Sequence, residues 1–298
     1  MKNTKLVGTI CIIITTICYG LVPAISFKSF AVDVETETLL FDKFFYAAVL
    51  MWAYIFIRKI NFRLPRAAWK PMIIIMLSYI GIATTLYLSF DYISGSLATI
   101  ISFTYPVIVI TIEMLRGRER VRAVKIIAVA ISLVGMCLIV WSPDMQIQII
   151  GVIFAFMCSL CYTVYIIELS SDKLEGLHPL VTPGYVLLAS AVFNFFRCAI
   201  SGYPLLTSTG IQLGYMLLLA VVCAFLAILC YCIGVRLIGP TSASIINTFE
   251  PACACVFGYL LIGDRITLSM IVGGIMIMIS ILLTSLPDKS AVSKPIVK

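Results

Sequence analysis

Four polar residues stand where membrane helices should be apolar. Asn247 and Glu250 lie in the stretch Gly239–Ile266, and Ser102 and Tyr105 lie in the stretch Ser94–Val121. Glu250 has the most chemistry to offer. A carboxylate at membrane depth costs roughly 2.5–3.5 kcal/mol on insertion scales, so a chain that keeps one there has a use for it. It could take up and release a proton and so couple movement of a solute to a proton gradient. The plain alternative is that it bonds backbone groups freed by Pro251, which has no N–H to give the helix ladder. Asn247 precedes Glu250 by three residues and shares its helical face, as Ser102 does with Tyr105. These four positions are expected to line a cavity; hydrogen bonds that only hold helices together are the competing explanation. Tyr19, Tyr87, Tyr162 and Tyr231, all late in apolar runs, could stack on a flat or apolar substrate. Tyrosine also gathers at membrane interfaces, which would explain them without a ligand.

The elements that carry these residues repeat. Shifting the chain by 145 residues lays Ala98 on Ala243, Ile100-Ile101 on Ile245-Ile246, Pro106 on Pro251 and Arg120 on Arg265. The same shift lays Tyr105 on Glu250, so any proton coupling through Glu250 is asymmetric between the halves. The start of each half repeats at a shift of 143, with Gly8, Cys18 and Tyr19 matching Gly151, Cys161 and Tyr162.

Composition fixes the class. Of 298 residues, 62% are hydrophobic and 12% charged, far from the half apolar and quarter charged typical of soluble domains. About 20 mostly apolar residues cross the hydrocarbon layer. Ten segments qualify, near 6–27, 39–57, 71–91, 96–115, 123–141, 150–170, 180–200, 213–235, 239–262 and 267–286. The chain is expected to be an all-α membrane protein whose ten transmembrane helices form two inverted five-helix repeats, 6–141 and 150–286. Two like halves with an odd number of spans each must sit upside down relative to one another, a recurring device of secondary transporters.

Orientation follows from the basic residues. With the N-terminus in the cytoplasm, 17 of the 21 Lys and Arg fall inside, leaving Lys28, Lys43, Arg197 and Arg265 outside. Both termini and the loop Arg116–Arg122 are then cytoplasmic, in a cell (inner or plasma) membrane. The N-terminal run reads as a first span and not as a cleavable signal. The net charge of +7 is spread over short loops, so no nucleic-acid face is expected.

Other residues invite blander readings. Asp42 and Lys43, near the outer end of the second span, could neutralise each other or the headgroups and read as structural, and Arg197 reads likewise. Glu113, Glu168 and Arg236 lie close enough to the inner interface to snorkel. Asp91 could act as an external gate. Cys158 and Cys161 have C-x-x-C spacing, but they sit mid-membrane in a chain whose one histidine is His178. Packing is the better reading of the cysteines, and no metal or cofactor is expected. The sequence shows no H-E-x-x-H, Walker loop or nucleophile–histidine pair, which disfavours an integral-membrane enzyme.

The motifs of the two halves resemble those of the drug/metabolite transporter superfamily in its EamA-like branch. Each repeat there carries A-x-I-I-x-x-x-x-P, then L-x-G-[ED]-R, then a helix opening with glycine. Here these are Ala243, Ile245, Ile246, Glu250-Pro251, Leu261-Ile262-Gly263-Asp264-Arg265 and Gly273-Gly274, and in the first half Ala98, Ile100, Ile101, Tyr105-Pro106, Arg118-Glu119-Arg120 and Gly135. The first half departs in having Arg116-Gly117-Arg118 where Leu-x-Gly is usual, which reads as a demand for cytoplasmic charge. The resemblance implies a secondary transporter for a small-molecule substrate, with amino acids or related compounds and export favoured. It also allows an exporter of drugs or lipid-like amphiphiles. The expected partners are that substrate, the lipid bilayer and protons, with the chain acting as a monomer or homodimer.

Overall fold

The computed structural model describes residues 2–90, 92–93, 98, 101–117, 123–140, 148–207, 209–263 and 268–285. Among these, all regular structure is helical. In order, the helices are α1 (Lys2–Phe30), α2 (Thr36–Ile57), α3 (Arg66–Phe90), α4 (Tyr105–Leu115), α5 (Ala123–Val140), α6 (Ile149–Leu169) and α7 (Val181–Ser201). They are followed by α8 (Gly210–Ile238), α9 (Pro240–Asn247), α10 (Glu250–Ile262) and α11 (Leu268–Ser285).

Seven helical spans among the described residues are long and apolar enough to cross a membrane: α1, α2, α3, α6, α7, α8, and α9 with α10 taken as one. Shorter apolar stretches, Ile126–Leu138 and Ile271–Ser280, lie in α5 and α11. Side chains such as Ile57, Leu115 and Ile200 are largely exposed, and in water so much open aliphatic surface would be untenable. The chain is a multi-pass membrane protein.

Four helix pairings organise the bundle: α1 with α8, α3 with α6, α2 with α7, and α5 with α11. α1 also packs along α9 and α10, and α6 packs along α4. The result is two groups, α1–α8–α9–α10 and α3–α4–α6, which touch each other among the described residues through α9 on α4 and α8 or α9 on α6. Two glycines permit matching close approaches, one within each group. A Cβ on Gly8 would stand 2.6 Å from the Ile238 Cγ2, and a Cβ on Gly151 would stand 2.8 Å from the Ile93 Cγ2. Both lie well inside van der Waals contact, so only glycine fits. Gly8 matches Gly151 and Ile93 matches Ile238 in the sequence repeat, so one contact occurs twice, once in each group.

Two helices are interrupted beside a proline, at matching places. A two-residue turn, Phe103-Thr104, precedes α4, and another, Thr248-Phe249, separates α9 from α10. Each restarts with proline second, Tyr105-Pro106 and Glu250-Pro251, where the missing N–H costs least. The threonine hydroxyls hold the last carbonyls before each break: Thr104 Oγ1 donates to the Ile101 O at 2.7 Å, and Thr248 Oγ1 donates to the Ile245 O at 2.6 Å. Proline alone does not dictate this, since α1 runs on through Pro23, which faces outward. A third irregularity sits inside α8, where Leu219–Leu226 widens into a π-helix.

Candidate functional site

The two breaks meet. Asn247, at the end of α9, is fully buried, and its amide is spent in three directions. Its Nδ2 donates to the Tyr105 hydroxyl at 3.2 Å and to Glu250 Oε2 at 3.2 Å, while its Oδ1 accepts from Thr16 Oγ1 at 3.3 Å. Tyr105 in turn donates to the Ser244 carbonyl at 3.4 Å. The network thus ties α1, both broken helices and the carboxylate together. Glu250 lies within electrostatic reach of Lys43 on α2, Tyr79 on α3, Tyr162 on α6 and Tyr231 on α8. Although groups from so many helices surround it, Glu250 keeps part of its surface accessible, as do Tyr19, Tyr79 and Tyr162.

Tyrosines build the walls. Tyr105 and Tyr162 stack with ring centroids 4.3 Å apart, and Tyr165 and Tyr231 stack at 5.7 Å. Tyr79 approaches Tyr165 at 5.3 Å, and Tyr162 stands edge-on to Tyr231 at 6.3 Å. Tyr19 lies close to Tyr79. Tyr19 and Tyr231 belong to the α1–α8–α9–α10 group, and Tyr79, Tyr105, Tyr162 and Tyr165 to the α3–α4–α6 group. The two groups therefore meet across a seam of rings. The buried Tyr231 hydroxyl has no partner with hydrogen-bonding geometry among the described residues.

Of the residues singled out in the sequence, Tyr19, Tyr105, Tyr162, Tyr231, Asn247 and Glu250 come together here. Ser102 does not join them: its hydroxyl bonds back to the Ala98 carbonyl at 2.8 Å and leans toward the Ala155 carbonyl on α6 at 3.5 Å. A serine can always satisfy itself on its own helix, and this one does. Tyr87 lies in α3 with its side chain outside what the structure describes, and Asp91, Arg118-Glu119-Arg120 and Asp264-Arg265 are outside the described residues. Sequence reasoning missed Tyr79, Tyr165 and Thr16. Tyr165 had a signal, since it follows Tyr162 by three residues on the same face.

Four charged positions need correcting. Asp42 and Lys43 form no ion pair; Asp42 accepts from the Thr207 N–H at 3.1 Å, and Lys43 is buried with its Nζ 5.3 Å from the centroid of the Phe44 ring. Successive residues on a helix point about 100° apart, so neighbours in sequence do not neutralise each other. Arg236 does not snorkel freely: it donates to Thr182 Oγ1 at 2.7 Å and reaches the Leu177 carbonyl at 3.5 Å. Glu113 is buried and pairs with Arg116 at 3.8 Å. Arg197 pairs with Glu37 at 3.1 Å. Among the described residues no group of His, Cys, Asp and Glu could hold a metal ion.

Comparison with known proteins agrees with this architecture. A solved crystal structure superposes with a TM-score of 0.80 over 95% of this chain and 97% of its own, at 14% identity; so low an identity speaks for the fold alone. A protein of Clostridium kluyveri described as an uncharacterized transporter is 22% identical over 215 residues, 67% of this chain and 66% of its own. Another so described, from Archaeoglobus fulgidus, is 27% identical over 189 residues, 63% of this chain and 66% of its own. The matched region thus spans about two thirds of either relative. The model of the EamA-like transporter family matches twice, over residues 6–141 and again over 149–286. The chain belongs to the EamA-like transporter family.

Proposed function

We propose that this protein is a secondary transporter that moves a small metabolite across the cell membrane by alternating access, with an amino acid or related compound as substrate and export as the favoured direction. The observation that carries the reading is the meeting of the two broken helices at Asn247, Tyr105 and Glu250. Irregular backbone at membrane depth is tolerated only where it is buried in protein or lines a wet cavity. Here aromatic rings and a carboxylate surround it.

The ten spans form two inverted five-helix repeats, 6–141 and 150–286, and the helix pairings support this. Exchanging the halves turns the α1–α8 pairing into α6–α3, and the Gly8–Ile238 contact into Gly151–Ile93. Both termini face the cytoplasm. The two groups that meet at the tyrosine seam are the bodies that rock, while the α2–α7 and α5–α11 pairs flank them. Glu250 carries the coupling proton: a carboxylate that binds a proton in one conformation and releases it in the other biases the equilibrium between them.

Purified protein in proteoliposomes tests this. Glu250→Gln keeps the shape of the side chain but cannot change charge, so it should lose accumulation driven by a pH gradient while keeping downhill exchange. A variant that remains fully pH-driven would leave Glu250 as a helix-break partner and the protein as a uniporter or exchanger.

A further inference from the structure

Five cations crowd the connection between α2 and α3: Arg58, Lys59, Arg63, Arg66 and Lys70, all of them exposed. No acidic residue occurs between Asp42 and Asp91 to offset them, and their side chains make no ion pair or hydrogen bond among the described residues. Holding a connection on one side of the membrane needs only its charge, in any conformation. This one is instead fixed in a single conformation. α2 closes in a Schellman turn, in which the Ile60 N–H donates to the Ile55 carbonyl at 3.0 Å and the Lys59 N–H to the Phe56 carbonyl at 3.1 Å. Lys59 takes the left-handed position of that turn, at a φ of 51°, where glycine is usual. A lysine kept there is a backbone cost borne for the sake of its side chain. Further on, Asn61 Oδ1 accepts from the Arg63 N–H at 3.1 Å, and the Tyr185 hydroxyl of α7 donates to the Phe62 carbonyl at 3.3 Å. Trp52 of α2 donates from Nε1 to the Gly184 carbonyl at 3.0 Å, with the Phe62 ring edge-on to it at 5.5 Å. Trp69, in the first turn of α3, stands 6.4 Å from the Tyr185 ring.

The five unpaired cations thus stand where two spans end, Thr36–Ile57 and Arg66–Leu86, at the level of the lipid headgroups. Phe56, Ile57, Phe62 and Trp69 are exposed among them, and rings of this kind suit the boundary between headgroup and acyl chain. Arg66 and Lys70 lie one turn apart on the same face of α3. We infer that the connection between α2 and α3 is a binding site for an acidic phospholipid, its cations meeting the phosphate headgroup and its exposed rings lying beside the chains. Guanidinium groups match phosphate oxygens in geometry as well as charge, and clustered cations just outside a span attract anionic lipids. Free phosphate would satisfy the charge but bring nothing for the rings. A zwitterionic lipid would bring chains, but also a cation of its own. An acidic phospholipid supplies both parts without that conflict.

The test is lipid binding to the purified, delipidated protein in detergent, read by native mass spectrometry and thermal shift. Phosphatidylglycerol, phosphatidylcholine with the same acyl chains, and inorganic phosphate are compared. Wild-type protein should bind phosphatidylglycerol about tenfold or more tightly than phosphatidylcholine, and should gain thermal stability from it but not from phosphate. Arg63→Gln with Arg66→Gln should weaken phosphatidylglycerol about twenty-fivefold, at about fivefold for each cation near an anionic surface, and leave phosphatidylcholine unchanged. Arg63→Lys with Arg66→Lys should keep most of the preference. Lys173→Gln removes an exposed cation from a different connection and should leave the preference intact. Equal binding of the two lipids, stabilisation by phosphate as large as by phosphatidylglycerol, an equal loss in Lys173→Gln, or an undiminished preference in the folded double glutamine variant would each overturn the site. The comparison of lipids on wild-type protein decides the matter even if that variant fails to fold. None of these readouts involves transport, so the outcome stands apart from the function proposed above.

Discussion

Asn247 donates a 3.2 Å hydrogen bond to the hydroxyl of Tyr105, joining the end of one broken helix to the start of the other. With its remaining hydrogens and lone pairs committed to Glu250 and Thr16, this amide leaves no polar atom of its own unsatisfied. The site is therefore held in register by a residue that carries no charge.

Asn247→Leu keeps the branched shape and removes all three bonds, taking from the Glu250 carboxylate its amide donor while Thr16 and Tyr105 keep their bonds to the Ile12 and Ser244 carbonyls. A loss of about 1–3 kcal/mol is expected from leaving a polar group inside the protein unpaired. Thermal unfolding in detergent should show it, with Ser102→Ala close to neutral because that hydroxyl only bonds back to its own helix.

The twin glycine contacts make a paired prediction. Gly8→Ala and Gly151→Ala each force a methyl into space already filled at 2.6–2.8 Å, and overpacking of this kind costs about 1–3 kcal/mol. The two losses should be similar. Gly214→Ala, with nothing within 4 Å of the new methyl, should be neutral or slightly stabilising, since alanine is the better helix former.

Ring stacking across the seam should be measurable by a double-mutant cycle. Tyr165→Ala and Tyr231→Ala should lose less together than the sum of their single losses, with a coupling of about 0.5–1.5 kcal/mol. Additive losses would mean that the rings merely fill space.

Topology is open to labelling. In a background with all eleven cysteines replaced, Arg118→Cys should react with an impermeant thiol reagent only from the cytoplasmic side, and Asp264→Cys only from outside. Reaction of both from one side would end the inverted-repeat reading.

Much of the fold was legible because it rests on patterns that need no partner. Apolar length gives the spans, and a proline at matching places in two halves gives the breaks. The site was half legible. Glu250 and Asn247 stand out against an apolar background, but tyrosine does not, because the membrane interface offers it a second home. Tyr79 became a wall of the site only through the packing of α3 on α6. Lys43 was misread for a geometric reason, the turn of the helix that separates it from Asp42. The π-helical stretch of α8 left no trace in Leu219–Leu226, an ordinary run of apolar residues.

The seam has one more implication. If the two halves exchange conformations during the cycle, each contact at the present seam is replaced by its counterpart, 143 residues earlier on α6 and 145 earlier on α8. For the stack of Tyr165 on Tyr231 those counterparts are Val22 on α1 and Leu86 on α3. One door is latched by two flat rings and the other by two small aliphatic groups, so the two closed ends are unequally fastened. On the proposed alternating-access cycle, a transporter built that way would rest with its ring-latched end shut.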